Sequence, residues 1–198
     1  MPAAADTGPF ADTALFLREF ARDPLRTAAV APSSAALAAA MVEPVAPGAV
    51  VVELGPGTGA FTRALRGRSP ARHLAVELNP RWAALLAQRH PDVDVAVADA
   101  RTLPALLAER GITRVDAVVS GLPWVAWADG TLLPVVADAL SPTGVLTQFA
   151  YSATRWAPPA RRQLAALRER FAEVSTTPVV WWNLPPAVVH RAGTPRRA

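Results

Sequence analysis

Short runs of β-branched and aliphatic residues alternate along this chain with longer stretches rich in alanine and leucine. The runs at 50–54 (VVVEL), 73–77 (HLAVE), 93–98 (VDVAVA), 115–120 (VDAVVS) and 144–151 (GVLTQFAY) are mostly apolar, the pattern of parallel strands covered on both faces. Between them, 60–66, 81–89, 103–110 and 132–140 carry apolar positions at helical spacing. Strand and helix alternating in this way predict a doubly wound α/β sheet with helices on both faces.

The two ends depart from that alternation. Plotted at 100° per residue, 13–22 (TALFLREFAR) gathers Ala14, Phe16, Leu17, Phe20 and Ala21 on one face and Arg18, Glu19 and Arg22 on the other, ending near Pro24. Such a helix packs on its own domain or lies in a lipid interface. After Pro32, Ser33 and Ser34 supply an N-cap for a helix over 35–42. Toward the C-terminus, 161–173 places Leu164, Leu167 and Phe171 on one helical stripe, and 174–182 and 187–191 read as two strands about Asn183, a β-hairpin closing the sheet. The expected organisation is a helical segment or lid at 1–47, a domain at 48–192 and a tail at 193–198, one domain overall.

The strongest chemical signal is VVVELGPGTGAFT at 50–62, where a strand meets Glu53 and then a turn built on Gly55, Gly57 and Gly59 that opens a helix. Glycines suit a backbone that must approach a ligand closely. The spacing is G-x-G-x-G rather than G-x-G-x-x-G, and no lysine follows as in a phosphate loop. Glu77 and Asp99 stand at the ends of the next two strands, 22 residues and further beyond Gly55. A carboxylate there accepts from ribose hydroxyls, a second from an exocyclic adenine amine, which together describe a nucleoside pocket without a pyrophosphate cradle. Each acid alone also suits a helix cap.

Composition narrows the chemistry. The 198 residues are 52% hydrophobic, which excludes disorder, and no cysteine is present, which excludes disulfides and thiolate chemistry. All 20 basic residues are arginine, so a lysine Schiff base is excluded as well. Residues 150–198 carry eight arginines against two acids, a surplus suited to an anionic partner or to a solvated face. No His or carboxylate cluster has metal-ligand spacing, and no metal is expected. Without a leader or an apolar run of about 20 residues the protein is expected to be cytoplasmic, in contact at most with the inner face of a membrane.

With these residues the chain resembles the class I S-adenosylmethionine-dependent methyltransferases: ELGPGTG (53–59) matches the family's first motif, Glu77 its ribose-binding acid and Asp99 its adenine-contacting acid. The resemblance implies a Rossmann-like seven-stranded sheet, S-adenosyl-L-methionine as cofactor and S-adenosyl-L-homocysteine as product. It implies cofactor contacts from Glu53, Gly55, Pro56, Gly57, Thr58 and Gly59, from Glu77 and Leu78, from Asp99 and Ala100, and from Ser120. Three further stretches, RDPLRTAAVAPSSAALAAAM (22–41), VVSGLPW (118–124) and WNLPPAVVHR (182–191), look like the bacterial phosphatidylethanolamine N-methyltransferases. They imply a lid over the cofactor, a catalytic group at Ser120, Gly121 and Tyr151, and substrate contacts from Leu122, Pro123, Trp124, Ser33, Ser34, Asn183 and Arg191.

VSGLPW also resembles half of an amine-methylation signature whose strand ends in an amide, then Pro and an aromatic; Pro123 and Trp124 are present, and Gly121 stands where the amide belongs. An aliphatic amine must lose its proton before it attacks, with Tyr151 or the carbonyls of this turn as candidate acceptors, and a cationic product suits the face of Trp124 or Trp127. His190 and Arg191 are candidates for a lipid phosphate. Three readings follow: an amine methyltransferase acting on a phospholipid head group at an anionic membrane surface, one acting on a soluble small molecule, and, disfavoured by the missing amide, one acting on nucleic-acid adenine. The oligomeric state is not legible.

Overall fold

The computed structural model describes residues 33–196; the helix expected over 13–22 and most of the 22–41 stretch lie outside them. Helix α1 (Ala35–Val42) precedes strand β1 (Val50–Leu54), then α2 (Ala60–Arg66), β2 (Arg72–Glu77), α3 (Pro80–Arg89), β3 (Asp94–Val97), α4 (Leu103–Glu109), β4 (Val115–Ser120), α5 (Leu132–Ala139) and β5 (Leu140–Tyr151) follow. The chain closes with α6 (Pro158–Arg170), β6 (Phe171–Thr176) and β7 (Ala187–Pro195). The strands form one seven-stranded sheet in the order β3-β2-β1-β4-β5-β7-β6, parallel from β3 to β5 and antiparallel at β7 and β6. The strand order reverses between β1 and β4, and at such a switch point the carboxyl ends of the strands leave a crevice for a ligand.

Alternate residues of the strands feed two cores. Val52, Leu54, Leu74, Val76, Val118 and Leu146 pack with α4, α5 and α6 on one face. Val51, Ala117, Val119 and Val189 pack with α1 and α2 on the other, where Leu37, Met41, Phe61 and Leu65 are buried. Such two-sided burial is why the central strands read as continuous apolar runs.

Three boundaries differ from the sequence reading. Strand β5 starts at Leu140 rather than Gly144: Leu140 pairs with Val115 and Val145 with Ala117, so Ser141–Gly144 are accommodated as a register shift instead of a separate turn. Helix α6 begins at Pro158 and ends at Arg170 instead of running over 161–173, because two prolines suit the first helical turn and Phe171 is extended (φ −121°, ψ 145°) and paired with Pro195. Residues 177–186 are mainly a connection, touching the sheet through a bridge between Val180 and Ala187, and β7 runs on to Pro195, where the tail was expected from 193.

Candidate functional site

Strand β1 delivers the chain at full burial to Leu54, after which Gly55, Gly57 and Gly59 adopt φ of +66°, +53° and +87°. At position 55 the positive φ is what calls for glycine, since a Cβ there would meet at 2.6 Å only the end of the Leu122 side chain, which can give way. Pro56 is buried with its carbonyl accepting from Gly59 N–H (2.9 Å), while Thr58 is half-buried at the turn. Gly59 caps α2, so the loop presents the amino end of a helix toward the crevice.

Glu77 ends β2 beside this loop. One carboxylate oxygen accepts from Gly57 N–H (3.1 Å) and the other from Asn79 N–H (2.9 Å). Burial pushes its carboxyl above the ordinary 4.5, against the lowering pull of the Asn79 and Gly57 N–H groups. Leu78, next in the chain, is exposed. Asp99, two residues past the end of β3, accepts from Arg101 N–H (2.8 Å) and so caps the short turn containing Ala100, and it also pairs with the Arg101 guanidinium at 3.3 Å. Two carboxylates thus stand at the ends of the two strands that follow β1 across the sheet, Glu77 in contact with the glycine loop and Asp99 one strand further out.

Glu53, expected among the ligand contacts, lies fully enclosed beneath the loop. Its Oε2 accepts from Thr62 Oγ1 (2.7 Å) and lies 3.0 Å from His73 Nε2, while Oε1 is buried with no partner among the described residues. Its role is to hold α2 and β2 under the loop. Replacing Thr62 with valine is expected to lower the unfolding free energy by about 2 kcal/mol, because a buried carboxylate loses a donor it cannot recover from water; an unchanged urea midpoint would contradict this role.

Strand β4 brings the SGLPW turn alongside. Gly121 N–H donates to Leu54 O (2.8 Å), and a Cβ on Gly121 would lie 2.5 Å from Gly55 O and 3.4 Å from Phe61 Cε2. The two loops therefore meet backbone to backbone, which only glycine allows at 121. Ser120, expected to face the reaction, is fully buried, and its hydroxyl accepts from Leu122 N–H (3.2 Å) to close the turn. Leu122 and Pro123 are half-buried, Trp124 projects with 54% exposure, and Trp127 is in the core. Behind the turn lies a cavity of about 480 Å³, lined by Trp124, Trp127, Leu133, Pro159, Arg162 and Gln163 among others; neither the glycine loop nor Glu77 reaches it. Tyr151 ends β5, its ring edge-on to Phe149 (5.5 Å), which in turn meets Phe61 (6.1 Å).

Two of the remaining stretches are joined. Asn183 is buried; its Oδ1 accepts from Ser34 N–H (2.9 Å) and its Nδ2 donates to Pro185 O (2.7 Å). Ser34 Oγ in turn caps α1 by accepting from Leu37 N–H (3.1 Å), and Ser33 is half-buried beside it. These groups clasp α1 to the β6–β7 connection. Replacing Asn183 with alanine is expected to cost about 1–2 kcal/mol, read as a fall in thermal midpoint, since the half-buried Ser34 N–H loses its acceptor.

Arg191, expected to contact the substrate, sits at the junction of α1 and β7. It pairs with Glu43 (2.7 Å) and donates to Ala40 O (3.3 Å), binding the carboxyl end of α1 to β7. His190 is buried with its Nδ1 at 2.9 Å from Thr176 Oγ1, and burial and then Arg168 lower its basicity.

Sequence reasoning missed Arg101, His73 and His90. Arg101 links Asp99 to Asp129 (2.7 Å), Thr131 Oγ1 (2.9 Å) and Ala126 O (3.3 Å), tying the loop after β3 to the turn after β4. His73 shares the inward face of β2 with Glu77, a period-two signal legible in HLAVE. His90 packs against the Gly59 turn, where a Cβ would lie 3.3 Å from its Nε2.

The family model described as a methyltransferase domain matches residues 52–147. The chain is 37% identical over 148 residues to ornithine lipid N-methyltransferase of Singulisphaera acidiphila, covering 70% of this chain and 77% of that protein. Its fold is similar to that of an S-adenosylmethionine-dependent O-methyltransferase of Thermotoga maritima (18% identity, TM-score 0.61, 92% of this chain and 72% of that one). It is also similar to fibrillarin of Aeropyrum pernix, solved with S-adenosyl-L-methionine bound (19% identity, TM-score 0.58, 79% and 73%).

Proposed function

The chain belongs to the class I S-adenosylmethionine-dependent methyltransferases, and from that premise we propose that it methylates the amine of a lipid head group. The observation that carries this reading is the 37% identity to a lipid N-methyltransferase over three quarters of that protein. The close approach of Gly121 to Gly55 O supports it, because no amide side chain fits where a planar nucleobase amine would be oriented.

The residues fit the cofactor. The Gly55–Gly59 loop, Glu77 and Asp99 would hold it, and the enclosed Glu53 side chain, whose Oε1 has no partner among the described residues, supports the loop from beneath. Bound S-adenosyl-L-methionine supplies a methyl group on a sulfonium sulfur. The chain's part is to place an amine in line with it and to let the amine shed its proton. Carbonyl groups of the SGLPW turn steer the amine by accepting hydrogen bonds from its N–H groups, the proton it sheds passes by way of water to solvent, and Trp124, whose side chain is exposed, meets the methylated cation. Phosphatidylethanolamine and an ornithine-type lipid both present a primary amine on a charged head group, and the proposed place of action is the inner surface of a membrane.

The test is incubation of the full chain and labelled cofactor with vesicles of phosphatidylethanolamine, vesicles of ornithine lipid, unacylated ethanolamine and ornithine, and RNA. Label is expected in one of the lipids. Label confined to unacylated amines or to RNA would overturn the proposal.

A further inference from the structure

Six tryptophans occur in the chain, and their burial divides them sharply. Trp82 and Trp127 are in the interior, whereas Trp124, Trp156, Trp181 and Trp182 are 54%, 72%, 74% and 88% exposed. The exposed four lie on three loops that are neighbours along one edge of the sheet. Trp124 follows β4, Trp156 follows β5, and Trp181 and Trp182 precede β7, which is the order β4-β5-β7 in the sheet. Ser152 N–H donates to Pro186 O (2.8 Å) and Tyr151 pairs with Ala187, holding two of these loops together. Val125 and Leu184, also exposed, extend the apolar rim. It borders the carboxyl-end crevice where β1 and β4 diverge.

Resting on the lipid reading above, we propose that this rim seats the enzyme on an anionic lipid surface, with the head group entering beside Trp124. Charge selects that occupant. The segments 121–131, 152–163 and 177–186 contain a single carboxylate, Asp129, which is paired with Arg101 (2.7 Å), and three arginines, Arg155, Arg161 and Arg162, all exposed. The Arg155 guanidinium lies over the Trp156 ring at 4.8 Å from its centroid, a cation beside an indole. Indoles favour the boundary between head groups and acyl chains, where the ring is shielded and its N–H stays hydrated, and arginine meets the lipid phosphates there. No helix among the described residues is long and apolar enough to cross a membrane, so binding of this kind is by surface contact.

The experiment compares the full chain with its Trp181→Ser/Trp182→Ser double variant in flotation with vesicles of phosphatidylcholine and phosphatidylglycerol that also carry phosphatidylethanolamine and ornithine lipid as the methylatable amines. Both side chains are exposed and neither belongs to the site, so the urea midpoint and the methylation of a short-chain, micellar lipid amine are expected to stay unchanged. Partitioning onto vesicles is expected to weaken by about tenfold or more, from the loss of two buried indoles, and methylation of the vesicle lipid is expected to fall with it. Flotation equal to that of the unsubstituted protein overturns the inference, as does sedimentation showing that the substitutions break a self-association of the lipid-free chain. Binding that depends on the pair while no lipid amine is methylated upholds the surface and sinks the lipid-amine reading. Lipid methylation with binding indifferent to the pair does the reverse.

Discussion

Replacing Gly121 with asparagine, which restores the amide of the adenine-methylating signature, is expected to disable the protein rather than redirect it. Any Cβ at this position lies 2.5 Å from Gly55 O, and the obstacle is backbone, which cannot swing aside as a side chain would. The expected loss is about 3 kcal/mol of stability, the upper range for forced overpacking, together with cofactor binding, because relief of the clash displaces the loop that carries Gly55 and Gly57. Gly121→Ala is expected to do the same, since the fault lies in the first side-chain carbon. Denaturant unfolding and calorimetric titration with S-adenosyl-L-methionine test both variants. A Gly121→Asn protein that folds normally and binds the cofactor would refute the packing explanation of the missing amide.

Replacing Glu77 with alanine is expected to weaken cofactor binding about 100-fold, the equivalent of one to two charge-assisted hydrogen bonds. The loss has two sources: the carboxylate accepts the Gly57 N–H that sets the loop, and it is the buried acceptor available to a ribose. Its ionisation gives a second signature. Because burial raises its pKa above 4.5 in the fold, the stability this group contributes to the cofactor-free chain is fully present below 4.5. That contribution is lost as pH rises through the raised value. Cofactor affinity runs the other way, since hydroxyl donors need the ionised form, and falls as pH drops through the same value. Titrations across the acid range should show this opposed pair of slopes in the native protein and neither in the alanine variant. A pH-independent difference between the two would contradict the assignment.

Much of the fold was legible in local pattern. The bounds of 35–42, 50–54, 60–66 and 115–120 coincide with α1, β1, α2 and β4, because each is bracketed by a cap, a glycine or a change of period that acts over a few residues. The C-terminal third was read less well. Leu167 and Phe171 are four apart and both buried, so they mimic one helical stripe, although the first belongs to α6 and the second to β6. Ser141–Gly144 has turn composition, yet Leu140 is already paired with Val115 before it.

The nucleoside-binding chemistry followed from the chain alone, since glycines after one strand and carboxylates ending the next two need only strand order to converge. What each polar group touches did not follow, because those partners are remote in sequence. Glu53 is enclosed by Thr62 and His73, Asn183 is joined to Ser34 across 149 positions, and Arg191 is drawn to Glu43 and Ala40 O. The absent amide in SGLPW was visible at once, but its cause, a glycine pressed against Gly55 O, is a distance between two strand ends that no residue pattern encodes. Burial divides likewise: periodicity marks which face of an element is apolar, whereas the exposure of four tryptophans depends on which loops the sheet order sets side by side.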